Sequence, residues 1–352
     1  MNTELTVGNR IIGDKNIFII AEIGVTCNYD MDITKQLISA AAKAGADSVK
    51  FVLHFPDDLM SDPTVEYTYD TVRGKVTENM FEMFDSLRFT LDEWKEIKAY
   101  ADKENILLFA SIEGQAGLDY AEELNFLLYK VGAWDLSDYP LWEKMSKLKE
   151  PIIIDVGTVY EDELKIVLDI LKDNDVILLH DYHTPHHEEM NMLSIPYMKE
   201  QLGVRVGFSS PNSYDINDYV AIGLGARVIE KRLTLSHALP GHHHIISKEP
   251  AEFAEWVGHI RNIEKSLGAM DIIPSADDLA HRKEYFKHIC ASADIRAGDV
   301  ITSEMLTCKR PEDAGLDPSH YPNLLGTVAA RDIRRNEAVG YEDIITAEDE
   351  VG

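Results

Sequence analysis

The stretch IFIIAEIGVTCNYDMDITKQLISAAAKAGADSVKF, residues 17–51, sets strand, helix and strand in succession. It opens on Ile17–Glu22, an unbroken apolar run that ends on a carboxylate. A loop leads to the helical spacing of Ile33–Lys43, and a second apolar run, Ser48–Phe51, closes it. Apolar runs without alternation are what strands buried on both faces require, and strand–helix–strand is a βαβ unit. The theme recurs at Ile106–Ala110, Phe126–Lys130, Pro151–Asp155, Val176–His180, Val204–Phe208 and Arg227–Glu230. Amphipathic segments such as Leu91–Lys103, Glu161–Lys172 and Tyr214–Gly223 lie between them. Eight strands in roughly 250 residues predict an α/β fold of the (β/α)8 TIM-barrel type. No GxGxxG follows the first strand, which argues against dinucleotide binding. The long segment Pro56–Thr90 predicts an extra helix or lid.

Beyond the eighth strand, Glu249–Gly268 reads as a helix with Pro250 in its first turn and Gly268 at its stop. The pattern then changes to a Ser/Pro/Asp-containing connection, and afterwards to short strands and turns. The expected organisation is a barrel over residues 1–268, a linker over 269–284, and a small β-rich domain over 285–352. Within the last, ASADIRAGDVI and AARDIRRNEAV share a form that reads as a weak internal duplication. About 70 residues make a marginal core by themselves.

The chain has 352 residues, with 62 Asp and Glu against 34 Lys and Arg, for a formal charge of −28. Such a surface repels phosphate backbones and anionic lipid, so neither nucleic acid nor membrane is expected as a partner. No apolar stretch approaches the ~18–20 residues of a membrane span, and no signal-peptide pattern is present. Cys27, Cys290 and Cys308 are far apart, which fits reduced thiols and a cytoplasmic setting.

In this barrel type the chemistry sits at the carboxyl ends of the strands. The residues there are Glu22, Lys50, Ser111, Lys130, Asp155, His180, Ser209 and Glu230, and all are polar. Two lysines on an inward rim point to a phosphate or carboxylate site; ion pairs with Glu22 and Glu230 are the alternative. Eight of the 13 histidines, among them His180, His183, His243 and His244, lie between His180 and His244. These either meet above the barrel mouth as a metal site or are merely His-rich polar loops.

FIIAEIGVTCNYD (18–30), AAKAGADSVKF (41–51) and YKVGAWDLSDYPL (129–141) together resemble the sialic acid synthase family, including its spore-coat-polysaccharide members. LLHDYHTPHHEEMNMLSIPYMKEQLGVRVGFS (178–209), AIGLGARVIEKRLTL (221–235) and LPGHHHIISKEPAEF (239–253) extend the likeness along the barrel. CKRPEDAGL (308–316) and LLGTVAARDI (324–333) look like an antifreeze-like (SAF) domain. The resemblance implies a cytoplasmic transferase that condenses phosphoenolpyruvate with an amino-sugar aldehyde, forming a nonulosonic acid for surface polysaccharide. It also implies a divalent metal, Mn or Mg, that polarises the aldehyde. By resemblance Lys50, Lys130 and Ser209 hold phosphoenolpyruvate, with Glu22 and Glu230 near the reacting carbons. Arg310 then reaches a partner's site in a domain-swapped homodimer. Ser111, Asp155 and Tyr182 are further expected substrate contacts.

The chain departs from the family pattern at several points. The family's metal-binding histidines fall on Pro211 and Arg232, and its phosphate-binding serines on Ala133 and Asp155. Its NH after the first strand is Thr26–Cys27, and an acidic residue becomes His243. Two replacements follow: a metal site rebuilt from His180, His243 and His244, or Arg232 acting in the metal's place. A family enzyme with another donor, or a silent sugar-acid-binding homologue, are the alternative functions.

Overall fold

The computed structural model describes residues 4–184, 186–210, 212, 214–310 and 315–345, with only the backbone at 283 and 284. The chain divides into two compact units, residues 1–268 and 269–352.

The first unit is a closed (β/α)8 barrel of eight parallel strands. In chain order they are β1 (Phe18–Glu22), β2 (Ser48–Leu53), β3 (Leu107–Ile112), β4 (Tyr129–Val131), β5 (Ile152–Asp155), β6 (Val176–His180), β7 (Arg205–Ser209) and β8 (Val228–Arg232). Each pairs with the next, and β8 returns to β1. The apolar runs are buried as their composition requires, with Ile19, Val49, Phe109, Ile153 and Leu178 inaccessible to solvent. Around the barrel lie α1 (Met31–Ala44), α2 (Leu91–Lys103), α3 (Gly114–Glu123), α4 (Tyr139–Met145), α5 (Glu161–Ile170), α6 (Ser194–Tyr197), α7 (Ile216–Gly223) and α8 (Pro250–Ser266).

The helix boundaries follow local chemistry. The Asp30 carboxylate accepts from the backbone N–H groups of Asp32 and Ile33 and so starts α1. Gly45, at φ 89°, ends it in the left-handed region. One face of α1, Thr34, Leu37, Ile38 and Ala41, is buried. The segment between β2 and β3 holds two short helices, Pro56–Leu59 and Met80–Ser86, with a hairpin between them. That hairpin pairs Glu66–Thr71 with Gly74–Asn79. Among the described residues no helix is long and apolar enough to cross a membrane.

In the second unit, helix α9 (Ala276–Tyr285) occupies most of the stretch read as a linker, started by Ser275 in a capping box. The suspected duplication has a physical counterpart. Ile295 and Ile333, at matching places in the two copies, exchange both backbone hydrogen bonds at 2.8 Å. The Ala297 N–H donates to Asp332 Oδ1, and the Arg335 N–H donates to Asp294 Oδ1, both at 2.8 Å. Gly298 and Asn336, again equivalent, are both left-handed, at φ 88° and 72°. The two copies therefore pair about a local twofold, and Ile289, Ile295, Ile301, Leu324, Ile333 and Val339 form the core of this unit.

Candidate active site

Register decides which strand-end residues face inward. Ser209 lies beside Glu230 across β7 and β8, whereas His180 lies beside Phe208 across β6 and β7. Successive strand residues alternate faces, so Ser209 and Glu230 point into the barrel and His180 points out. Glu22, Lys50, Ser111, Lys130, Asp155, Ser209 and Glu230 line a single cavity, joined by Arg232 and His243.

The two lysines share a partner. Lys50 Nζ donates to Ser111 Oγ at 3.2 Å, pairs with Glu22, and lies 3.3 Å from Glu230 Oε1. Lys130 Nζ donates to Glu230 Oε2 at 2.8 Å and lies 2.9 Å from Asp155 Oδ2. Both readings of the lysines thus coexist: they face one cavity, and they are ion-paired there. Glu22 is aimed by the loop after β1, where the Gly24 N–H donates to its Oε1 at 2.6 Å. A side chain at position 24 would stand 2.7 Å from that oxygen, so the close approach needs glycine.

Charge is unevenly shared in this floor. Burial alone would raise the Glu230 carboxyl, but Lys130 and Lys50 outweigh it and hold it at about 2. Burial lifts Asp155 well above the usual carboxylate range, and Lys130's pull is countered by the charges of Asp181 and Glu230. For Lys130 burial disfavours the charge, but Asp155 and Glu230 reverse the balance and keep the ammonium protonated. The floor therefore places Glu230 between the two ammonium groups, with Glu22 beside Lys50 and with Asp155, beside Lys130, pushed towards its acid form by burial.

Arg232 ends β8. Its Nη1 donates to the Ser210 carbonyl at 3.1 Å, while its buried Nε has no hydrogen-bond partner. His243 stands beside it in a left-handed conformation at φ 69°. Burial first, then the Arg232 charge, hold its imidazole well below its ordinary value, so it is neutral.

Two expected sites need correction. The histidines His180, His243 and His244 do not come together. His180 Nε2 contacts the Met190 carbonyl at 2.6 Å, and its ring stacks on Tyr182. The two ring nitrogens of His244 meet Thr234 Oγ1 at 2.7 Å and Asn28 Oδ1 at 3.2 Å. Tyr182, packed on the outward-facing His180, does not line the cavity. Arg310, expected to serve a partner's site, lies in the second unit as its place in the sequence requires, and its Nε donates to the Tyr285 carbonyl. Pro211 lies outside the described residues.

Four polar or aromatic cavity residues escaped the sequence reading, Glu113, Trp134, Asp135 and Asp181, while His183, one of the histidines expected above the barrel mouth, does line it. They sit just beyond the strand ends, where periodicity stops being informative. Asp181 was findable: it follows the outward His180 and so takes the inward side. Gly157 permits its placement, because a Cβ there would lie 1.7 Å from the Asp181 carbonyl oxygen.

Residues 37–271 match the NeuB family, and residues 289–345 match a SAF domain. The chain belongs to the NeuB family. This NeuB-family chain is 30% identical to the N-acetylneuraminate-9-phosphate synthase of Mus musculus, covering 98% of the chain and 97% of the relative. It is 29% identical to an N,N'-diacetyllegionaminic acid synthase of Campylobacter jejuni, over 92% and 99% of the two. The structure of an N-acetylneuraminic acid synthetase from Leptospira borgpetersenii, in complex with citrate, superposes with a TM-score of 0.70 at 25% identity. That match covers 80% of this chain and 95% of the other. These relatives make nonulosonic acid synthases the family of this chain, and synthesis the kind of work its relatives do.

A divalent ion does not fit the donors that the described residues present. Among the described residues no three His, Cys, Asp or Glu side chains are arranged to hold one. Arg232, a guanidinium without a lone pair to donate, faces the cavity instead.

Proposed function

We propose that the chain condenses phosphoenolpyruvate with an amino-sugar aldehyde to a nonulosonic acid, releasing phosphate, for surface polysaccharide. The reading rests above all on Lys50 and Lys130 meeting at Glu230 in one buried cavity at the carboxyl ends of parallel strands. Two ammonium groups there suit a small acid that carries phosphate and carboxylate, and Ser111 and Ser209 add hydroxyl donors. Asp155 in its protonated form removes the repulsion that an aspartate would impose on phosphate.

In the proposed reaction the enol carbon of the donor attacks the aldehyde carbon, forming the new carbon–carbon bond. Arg232, with its unpartnered Nε, stabilises charge on the aldehyde oxygen. Asp155 supplies the proton which that oxygen gains. Water, oriented by Glu22 and Glu230, adds at the phosphate-bearing carbon and returns one proton to Asp155; the C–O bond to phosphate then breaks as the new hydroxyl becomes the ketone oxygen, its proton leaving with the phosphate. Arg310 serves the cavity of a second chain within a homodimer.

Incubation with phosphoenolpyruvate and a panel of hexosamines, free and N-acylated, tests this by acceptor-dependent phosphate release and product mass. Release with at least one acceptor is expected, and it should survive a chelator. Absence of release across the panel overturns the reading. Calorimetric binding without turnover would then identify a sugar-acid-binding homologue.

A further inference from the structure

A second cavity, of about 140 Å³, lies at the other end of the barrel, where the strands begin. Three segments wall it. Ile12 and Asp14 come from the amino-terminal hairpin, in which Leu5–Val7 pairs with Arg10–Ile12, and from the turn after it. Lys199 comes from a π-helical turn, Met198–Leu202, that continues α6; such turns are rare and recur at functional sites. Val204, Arg205 and Val206 open β7, and Arg227 immediately precedes β8. Four residues of β7, at ~3.3 Å each, set Arg205 about 13 Å from Ser209 in the catalytic cavity.

Charge is inverted here. Over the whole chain 62 acidic residues face 34 Lys and Arg, yet this cavity is lined by Lys199, Arg205 and Arg227 against one carboxylate, Asp14. Arg205 is answered from outside the cavity, with its Nη1 2.9 Å from Asp175 Oδ1. The other two are not answered so well. Lys199 Nζ stands 3.7 Å from Asp14 Oδ1, beyond hydrogen-bond distance. Arg227 spends its hydrogen bonds on neutral groups: Nε donates to the Asp14 carbonyl at 3.0 Å, and Nη1 to the Ile222 and Ala226 carbonyls at 3.1 and 2.8 Å. None of these bonds uses Nη2. Burial pulls the guanidinium below its ordinary value, and the Asp14 charge opposes that.

The interior has the opposite character. Ile12 and Val206 are buried, and half-buried Val204 completes an aliphatic wall. An apolar cavity of ~150 Å³ takes a benzene-sized molecule. Inorganic phosphate would leave that wall uncovered, and a neutral hydrocarbon would leave the cations unanswered. We propose that this cavity binds a small organic anion, an aryl or branched-alkyl carboxylate of about seven carbons. Its body lies between Ile12, Val204 and Val206, and its carboxylate accepts from Arg227 Nη2 and Lys199 Nζ. The inference stands apart from the condensation reading, which concerns the opposite end of the barrel.

Titration of the full chain with benzoate, followed by saturation-transfer NMR, tests it, with benzamide and benzylamine as the neutral and cationic counterparts of the same ring. Benzoate is expected to bind at least about tenfold tighter than either. Asp14→Asn, which removes the one competing carboxylate, should tighten benzoate by about threefold, a gain that a merely structural role would not produce. Lys199→Gln should weaken it by about threefold or more, and Val204→Phe, which fills the cavity, should abolish it. Thermal unfolding checks that each variant is folded; if one is not, the remaining two decide. Equal binding of the three ring compounds, no benzoate binding up to about 10 mM, or benzoate binding that no folded variant alters overturns the inference. Displacement of benzoate by phosphoenolpyruvate, from the parent and from Val204→Phe alike, would place it on Lys50 and Lys130 and overturn the inference as well.

Discussion

Lys130 is 1% exposed and has two carboxyl partners, so its loss is felt twice. Lys130→Ala leaves Asp155 and Glu230 facing each other in a buried space. Removing one member of a buried ion-paired group costs roughly 3–5 kcal/mol, and chemical denaturation should show a loss of that size. Phosphate release should fall by about 100-fold or more. Asp135 behaves oppositely. Its carboxyl is raised from 3.8 to about 7 in the folded protein, so the folded form holds the proton more tightly than the unfolded form. Its contribution to stability is therefore complete below pH 3.8 and is lost as pH rises towards 7, by at most about 1.4 kcal/mol per pH unit. Asp135→Asn removes this loss, so the variant should gain on the parent between pH 4 and 7 in thermal unfolding. A constant offset across that range would contradict the assignment. The inward lysines and Glu22, Ser209 and Glu230 were legible as the last residues of apolar runs. His180 was misread, because a strand's final residue can take either face and only the register with Phe208 decides which.

At the scale of elements, the hairpin between β2 and β3 is held to the loop after β8 by aromatic contacts. The Tyr67 and Tyr69 rings lie 5.8 and 5.4 Å from that of His242, which is itself buried. Burial first, helped by the nearby basic groups His54 and His244, lowers the His242 imidazole to about 4, so the contact is neutral and packs as an apolar one. The double variant Tyr67→Ala/Tyr69→Ala should free this loop while leaving the barrel folded. Amide exchange over residues 240–246 should accelerate by about tenfold or more, and KM should rise more than kcat falls. The segment's length marked it as a lid or extra helix. Its hairpin went unread because exposed strands with mixed polar residues carry no apolar signal. The duplication in the second unit was legible for the converse reason: equivalent Asp and Ile residues repeat in order, Asp332 and Asp294 accept from the backbone of Ala297 and Arg335, and Ile295 and Ile333 bond each other.

For the whole molecule, the proposed homodimer makes a quantitative statement about mixed chains. Arg310→Ala and Lys130→Ala each inactivate, but through different halves of a shared site. Refolding them together should restore about a quarter of the parental activity, because half the dimers are mixed and each has one complete site. Light scattering on the parent checks the dimer independently. No recovery in a mixture shown to contain mixed dimers would assign Arg310 to some other role. The acidic total of −28 also bears on this scale. An anionic donor must enter against that field, so its apparent affinity should improve as moderate salt screens the surface.

Periodicity by itself determined the barrel. Apolar run, loop and helix are each specified within about 20 residues, and repeating them eight times leaves few closed alternatives. The identity of the polar residues at the strand ends came with it. Pairing came only from closure: Lys130 meets Glu230 across 100 residues of chain, and Lys50 meets Ser111 across 61. Which face a strand-end residue takes, which carboxyl keeps its proton, and which histidines stay outside all depend on register between neighbouring strands. Local sequence does not carry that register, because it is set when the eight strands close on one another.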